Sequence, residues 1–130
     1  MTSLYSIAEK NNIEIDDFPM DKVKAFSLKG TIIINPELVK TERERKECMV
    51  HELGHNIKNA FYNISSTLET RERQEERATR WAVHTLIPAE ELKKALKKGY
   101  TEIWQLAEYF DVSGEFIVDA IRVHKTENNI

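Results

Sequence analysis

Two histidines four residues apart, in the run His51-Glu52-Leu53-Gly54-His55, constrain this chain more than any other stretch. On a helix, residues at i and i+4 share a face, so both imidazoles can reach one metal ion. Glu52, turned about 100° from His51, lies at the edge of that face, where a carboxylate can deprotonate a water activated by the ion. The run therefore requires a helix, offers two ligands and a base, and leaves a ligand to be found. A catalytic zinc site takes three protein ligands and keeps a fourth position open. A third histidine six residues after His55 is excluded, because Phe61 stands there.

The remaining candidates are carboxylates and histidines farther along the chain. Glu75 is the best of them: at helical spacing around it stand Ala78, Thr79, Ala82 and Leu86, a narrow face of mostly small residues. Small residues let two helices approach closely, and Gly54 serves the same purpose on the first helix. Glu72, about 60° away, is the runner-up, and Glu76, about 100° away, begins to point outward. His84, nine residues from Glu75, lies on the opposite side of the same helix and reads as a surface or packing histidine. His124 sits near a polar tail, where nothing brings it to the metal. Cys48, one turn before His51, reads as a small core thiol.

Leu4, Ile7 and Ala8 are spaced for a short first helix that Asn11-Asn12 would end. Val23 to Leu28 and Thr31 to Asn35 flank Lys29-Gly30 and predict a small hairpin stopped by Pro36, its β-branched run Ile32-Ile33-Ile34 suiting a strand. Thr41-Glu42-Arg43-Glu44 has capping-box spacing and opens a helix from about Glu42 to Lys58 that carries the histidines. A second long helix is expected between Thr67 and Leu86, ended by Pro88. A third runs from Glu90 to Lys98 with Gly99 as its cap, and two short ones follow, Glu102 to Phe110 and Gly114 to Val123. A few strands followed by mostly helices argue for an α+β arrangement.

With 130 residues the chain fits one domain spanning 1–130, its helices from about 101 forming a subregion of it. A formal net charge of −3 disfavours nucleic acid and anionic membranes as partners. Cys48 is the sole cysteine, which excludes an intrachain disulfide and fits a reducing cytosol. The start, Met1-Thr2-Ser3-Leu4-Tyr5-Ser6-Ile7, has no leader-like pattern, and no stretch approaches membrane-spanning length, so a cytoplasmic protein is expected. Composition does not set the oligomeric state.

The histidine run, followed by Glu75-Glu76-Arg77-Ala78-Thr79-Arg80-Trp81-Ala82 and then Leu86-Ile87-Pro88, resembles the ImmA/IrrE metallopeptidases, whose second motif reads Glu-x-x-Ala-Asn/Asp-x-Phe-Ala and ends in Leu-Met-Pro. The resemblance runs from the Thr31 to Asn35 strand and its Asn-Pro ending to Leu106-Ala107-x-x-Phe110-x-Val112-Ser113. It implies a small zincin-like domain of the gluzincin type, with Glu75 as third ligand to one divalent ion, zinc being expected. It further implies a cytosolic endopeptidase for a transcriptional repressor, often one of phages and mobile elements. Thr79 departs from the family's Asn/Asp. A residue there is expected to accept a hydrogen bond from a ligand imidazole, more weakly when it is threonine.

The expected chemistry is peptide hydrolysis, with His51, His55 and Glu75 holding the metal and Glu52 acting as base and then as acid. Tyr62, Tyr100 and Tyr109 are candidate donors to the oxyanion, and an edge of the hairpin is a candidate site for an extended substrate. Two competing classes remain: a metal-binding regulator without catalysis, and a DNA-binding protein suggested by the helix-turn-helix-like Leu106 to Ser113 and the helix after it. Charge opposes the latter. From Thr101 to Ile130, Glu102, Glu108, Asp111, Glu115, Asp119 and Glu127 face only Arg122 and Lys125, a formal −4. Ile103, Trp104, Leu106, Phe110, Phe116 and Ile117 are read instead as core or a partner-docking face.

Overall fold

The computed structural model describes residues 3–130; Met1 and Thr2, which open the N-terminal stretch read above, lie outside the described residues. The fold is α+β. Its elements run α1 Leu4–Lys10, β1 Glu14–Asp17, β2 Ala25–Leu28, β3 Thr31–Ile34, α2 Glu42–Ile57, α3 Leu68–Leu86, α4 Ala89–Lys97, α5 Ile103–Phe110 and α6 Gly114–Thr126. The chain divides into two compact units, one ending at Ala82 and the other running from Val83 to Ile130.

In the first unit the three strands form one sheet in the order β1-β3-β2. The expected hairpin is present: β2 and β3 pair antiparallel, Phe26 opposite Ile33, around a turn in which Gly30 takes the left-handed φ of +83°. β1, absent from the sequence reading, pairs parallel with β3, Glu14 opposite Thr31. Its sequence Glu-Ile-Asp-Asp has a single apolar residue, so hydrophobic alternation gives no sign of it. β3 is consequently central, and among the described residues β2 is the hairpin strand with an edge free of strand partners. Ile32 and Ile34 are fully buried and join Ala8, Ile13, Val39, Met49 and Leu53 in this unit's core, against which Cys48 and Trp81 pack. Cys48 is thus the core thiol expected, and burial pushes its pKa up. Asn35, also fully buried, ends the strand by donating its amide to the Met20 and Val23 carbonyls.

α2 starts as its sequence dictates. The Thr41 side chain accepts the Glu44 N–H at 3.1 Å, satisfying one of the donors that a helix start leaves open. The Glu44 carboxylate reaches back to the Thr41 hydroxyl rather than to its backbone N–H. At the other end, Asn56 ties α2 to the hairpin turn: its amide donates to the Leu28 carbonyl and its oxygen accepts the Gly30 N–H at 2.7 Å. That clamp, next in sequence to His55, lays β2 alongside the helix.

The second unit is helical. Val83, Ile87, Leu92, Ala95, Leu106, Val112, Ile117, Ala120 and Val123 form its buried core, with Phe110 and Phe116 packed against it. Gly99, with φ of +95°, follows α4 as expected, and the Tyr100 N–H closes the turn onto the Ala95 carbonyl. Ile103 and Trp104 do not belong to this core. They occupy the first turn of α5 and are 45% and 61% exposed, because the face that α5 buries runs through Leu106 and Ala107. Among the described residues no helix is long and apolar enough to cross a membrane.

Candidate active site

The first unit brings together the side chains of His51, His55 and Glu75, whose candidate ligand atoms all lie within 4.8 Å of one another. His51 and His55 stand one turn apart on α2 with ring centroids 4.9 Å apart, and Glu75 comes from α3. Its carboxylate spans both rings, with Oε1 2.8 Å from His51 Nε2 and Oε2 3.1 Å from His55 Nε2. The approach depends on Gly54. A Cβ there would lie 2.6 Å from the Ala78 carbonyl oxygen and 3.0 Å from its Cα, so no larger residue fits this crossing without movement. The small-residue face around Glu75 packs against Gly54 for that reason. Glu72 is exposed, and Glu76 pairs with Arg80 at 3.0 Å.

His55 is buried, and its Nδ1 lies 2.6 Å from the Ala60 carbonyl. A carbonyl only accepts, so Nδ1 carries the proton that donates to it, which directs the other nitrogen, Nε2, toward Glu75. Metal-ligating histidines typically have this kind of support. Burial alone would lower the pKa of His55, yet its hydrogen bonds to Glu75 and Ala60 outweigh that and raise it. Hydrogen bonds from His51 first, then His55 and Tyr62, hold the Glu75 carboxyl well below the usual range against the opposing effect of burial. Glu75 is therefore ionised at neutral pH.

The donor set fits a divalent metal. Two imidazole nitrogens and a carboxylate, with candidate ligand atoms no more than 4.8 Å apart, are the donor types and the compactness that a zinc-class ion takes.

Glu52 lies beside this cluster, and the Ser27 hydroxyl is 2.7 Å from Glu52 Oε1 and 2.9 Å from the Glu52 main-chain carbonyl oxygen. Ser27, Ala60 and Asn56 escaped the sequence reading, because a lone serine on a strand or alanine in a loop carries no pattern; only the packing of β2 and the 58–62 turn against α2 reveals them. A cleft of about 220 Å³ opens here, lined by Ala25, Phe26 and Ser27 of β2, by Glu52, His55 and Glu75, and by the segment 60–62. That is below the roughly 300–1,000 Å³ of ordinary small-molecule pockets, and it borders the free edge of a strand.

Of the three candidate tyrosines, only Tyr62 is here: its hydroxyl donates to Glu75 Oε2 at 2.7 Å, a bond that, ahead of burial, raises its pKa. Tyr100 and Tyr109 lie against one another in the second unit, their rings tilted and their centroids 5.3 Å apart. His84 and His124 meet there edge to face. Thr79 makes no side-chain hydrogen bond to either imidazole among the described residues; Ala60 performs that service for His55.

A small sheet with a free edge, laid against a helix carrying two histidines and a glutamate, with a second glutamate from the next helix, is the arrangement of a small zincin-like metallopeptidase. The family model described as the IrrE N-terminal-like domain, a peptidase family, matches residues 8–122, and the chain belongs to that family. Comparison with curated proteins finds no match.

Proposed function

We propose that the protein is a zinc-dependent endopeptidase whose substrate is a helix-turn-helix transcriptional repressor, met in the cytoplasm. One observation carries the catalytic part: two imidazole nitrogens and a carboxylate converge beside Glu52 at a cleft bounded by a free strand edge. The repressor part rests on the resemblance to the ImmA/IrrE proteins.

His51, His55 and Glu75 would hold the ion, which when bound polarises the attacking water and the scissile carbonyl. Glu52 accepts the proton from that water and returns it to the leaving amine. The Ser27 hydroxyl aims the Glu52 carboxylate, and Tyr62 steadies the Glu75 carboxylate. Substrate joins β2 as an additional strand. Because the Lys24 carbonyl takes the Asn35 N–H and pairing alternates along an antiparallel ladder, the main-chain groups of Ala25 and Ser27 point to the free edge.

The test is incubation of the purified protein with a small helix-turn-helix repressor encoded beside it, with and without a chelator. Cleavage at a defined bond that chelator stops and zinc restores is expected. Cleavage indifferent to chelator would overturn the metal mechanism, and an intact repressor in the zinc-loaded reaction would overturn the substrate.

A further inference from the structure

The second unit holds another group of two imidazoles and a carboxylate. His84 lies in the last turn of α3, His124 in the last turn of α6, and Glu127 caps α6 three residues later. Their candidate ligand atoms all fall within 4.8 Å of one another. His84 Nε2 is 2.7 Å from Glu127 Oε1, and the two imidazole rings meet edge to face with centroids 5.1 Å apart.

His124 is the informative member. It is fully buried, and its Nε2 lies 2.8 Å from the Ile87 carbonyl oxygen. Since a carbonyl only accepts, Nε2 carries the proton and Nδ1 keeps its lone pair. The Asn129 amide, 3.3 Å from Nδ1, donates to that lone pair. His124 is thus anchored through Nε2, which leaves Nδ1 as its candidate ligand atom, by the same device that Ala60 applies to His55. Two helices also end at this cluster, and helix C-termini favour positive charge.

We infer that His84, His124 and Glu127 form a second metal site, taking a zinc-class divalent ion that clips the end of α3 to the end of α6. Two nitrogens and one carboxylate oxygen suit zinc, whereas calcium and magnesium prefer all-oxygen sets. The Asn129 amide would yield His124 Nδ1 to the ion while Ile87 keeps the ring in place. Neither histidine has a carboxylate neighbour in sequence: Val83 and Thr85 flank His84, and Val123 and Lys125 flank His124. Without an equivalent of Glu52 the site is structural.

The test is zinc stoichiometry on the full chain after gel filtration, together with the melting temperature at each zinc concentration. Wild type should retain two equivalents and His84→Ala one; the exposed position of His84 makes that variant safe for folding. In a His51→Ala/Glu75→Gln background, which removes the first cluster independently of any catalytic reading, one equivalent should remain and still raise the melting temperature. Adding Glu127→Gln there should weaken zinc binding at least tenfold. A His84→Ala protein that retains as much zinc as wild type, or a His51→Ala/Glu75→Gln protein whose melting temperature zinc does not move, would overturn the inference.

Discussion

The clusters His51/His55/Glu75 and His84/His124/Glu127 have the same donor atoms and similar compactness, and each has a buried histidine whose tautomer a main-chain carbonyl sets. They differ in what surrounds them. The first has a carboxylate adjacent to a histidine, a hydroxyl holding that carboxylate, and a strand edge along the cleft. The second has Val, Thr and Lys beside its histidines and the Asn129 amide at its open nitrogen. Donor atoms alone therefore describe affinity for a metal; hydrolysis also needs a base and a place for the substrate.

The most disruptive change to this contrast is Gly54→Ala. A methyl 2.6 Å from the Ala78 carbonyl must push α2 and the Glu75 segment of α3 apart, costing about 3 kcal/mol, of which better helix propensity returns about 1. Urea denaturation should show a net loss near 2 kcal/mol, with zinc lost from the first cluster. Unchanged stability would mean that the crossing is looser than described.

Ser27→Ala removes the hydroxyl from Glu52 without touching a metal donor. Cleavage should fall about tenfold, equivalent to one hydrogen bond to a charged group, at unchanged zinc affinity. Equal rates would show that Glu52 needs no such support.

The smallest effect should come from Thr79→Asp. Among the described residues Thr79 makes no side-chain hydrogen bond to either imidazole, so a carboxylate there gains a chance to orient one, and zinc affinity should rise by roughly fivefold to tenfold in a competition titration. Weaker binding would remove Thr79 from the account.

What was legible in the sequence was helical. Thr41 announced the start of α2, the spacing of His51 and His55 fixed their shared face, and the small residues around Glu75 pointed to the approach that Gly54 permits. Helix periodicity makes such inferences local. β1 was invisible because a mostly polar edge strand shows no alternation. Ser27, Asn56 and Ala60 were invisible because their roles arise from how the hairpin and the 58–62 turn lie against α2, which depends on tertiary packing. Ile103 and Trp104 were open to two readings, core or a partner-docking face, and the first turn of α5 rules out the core by leaving them exposed.

The most direct measurement pairs metal content with cleavage on the same preparation of Glu52→Gln. The substitution keeps size and hydrogen-bonding capacity but removes the base, leaving His51, His55 and Glu75 intact. Zinc content and melting temperature should equal those of wild type, with cleavage reduced about a thousandfold. A zinc-loaded Glu52→Gln protein that cleaves at the wild-type rate would contradict the role of Glu52 as base.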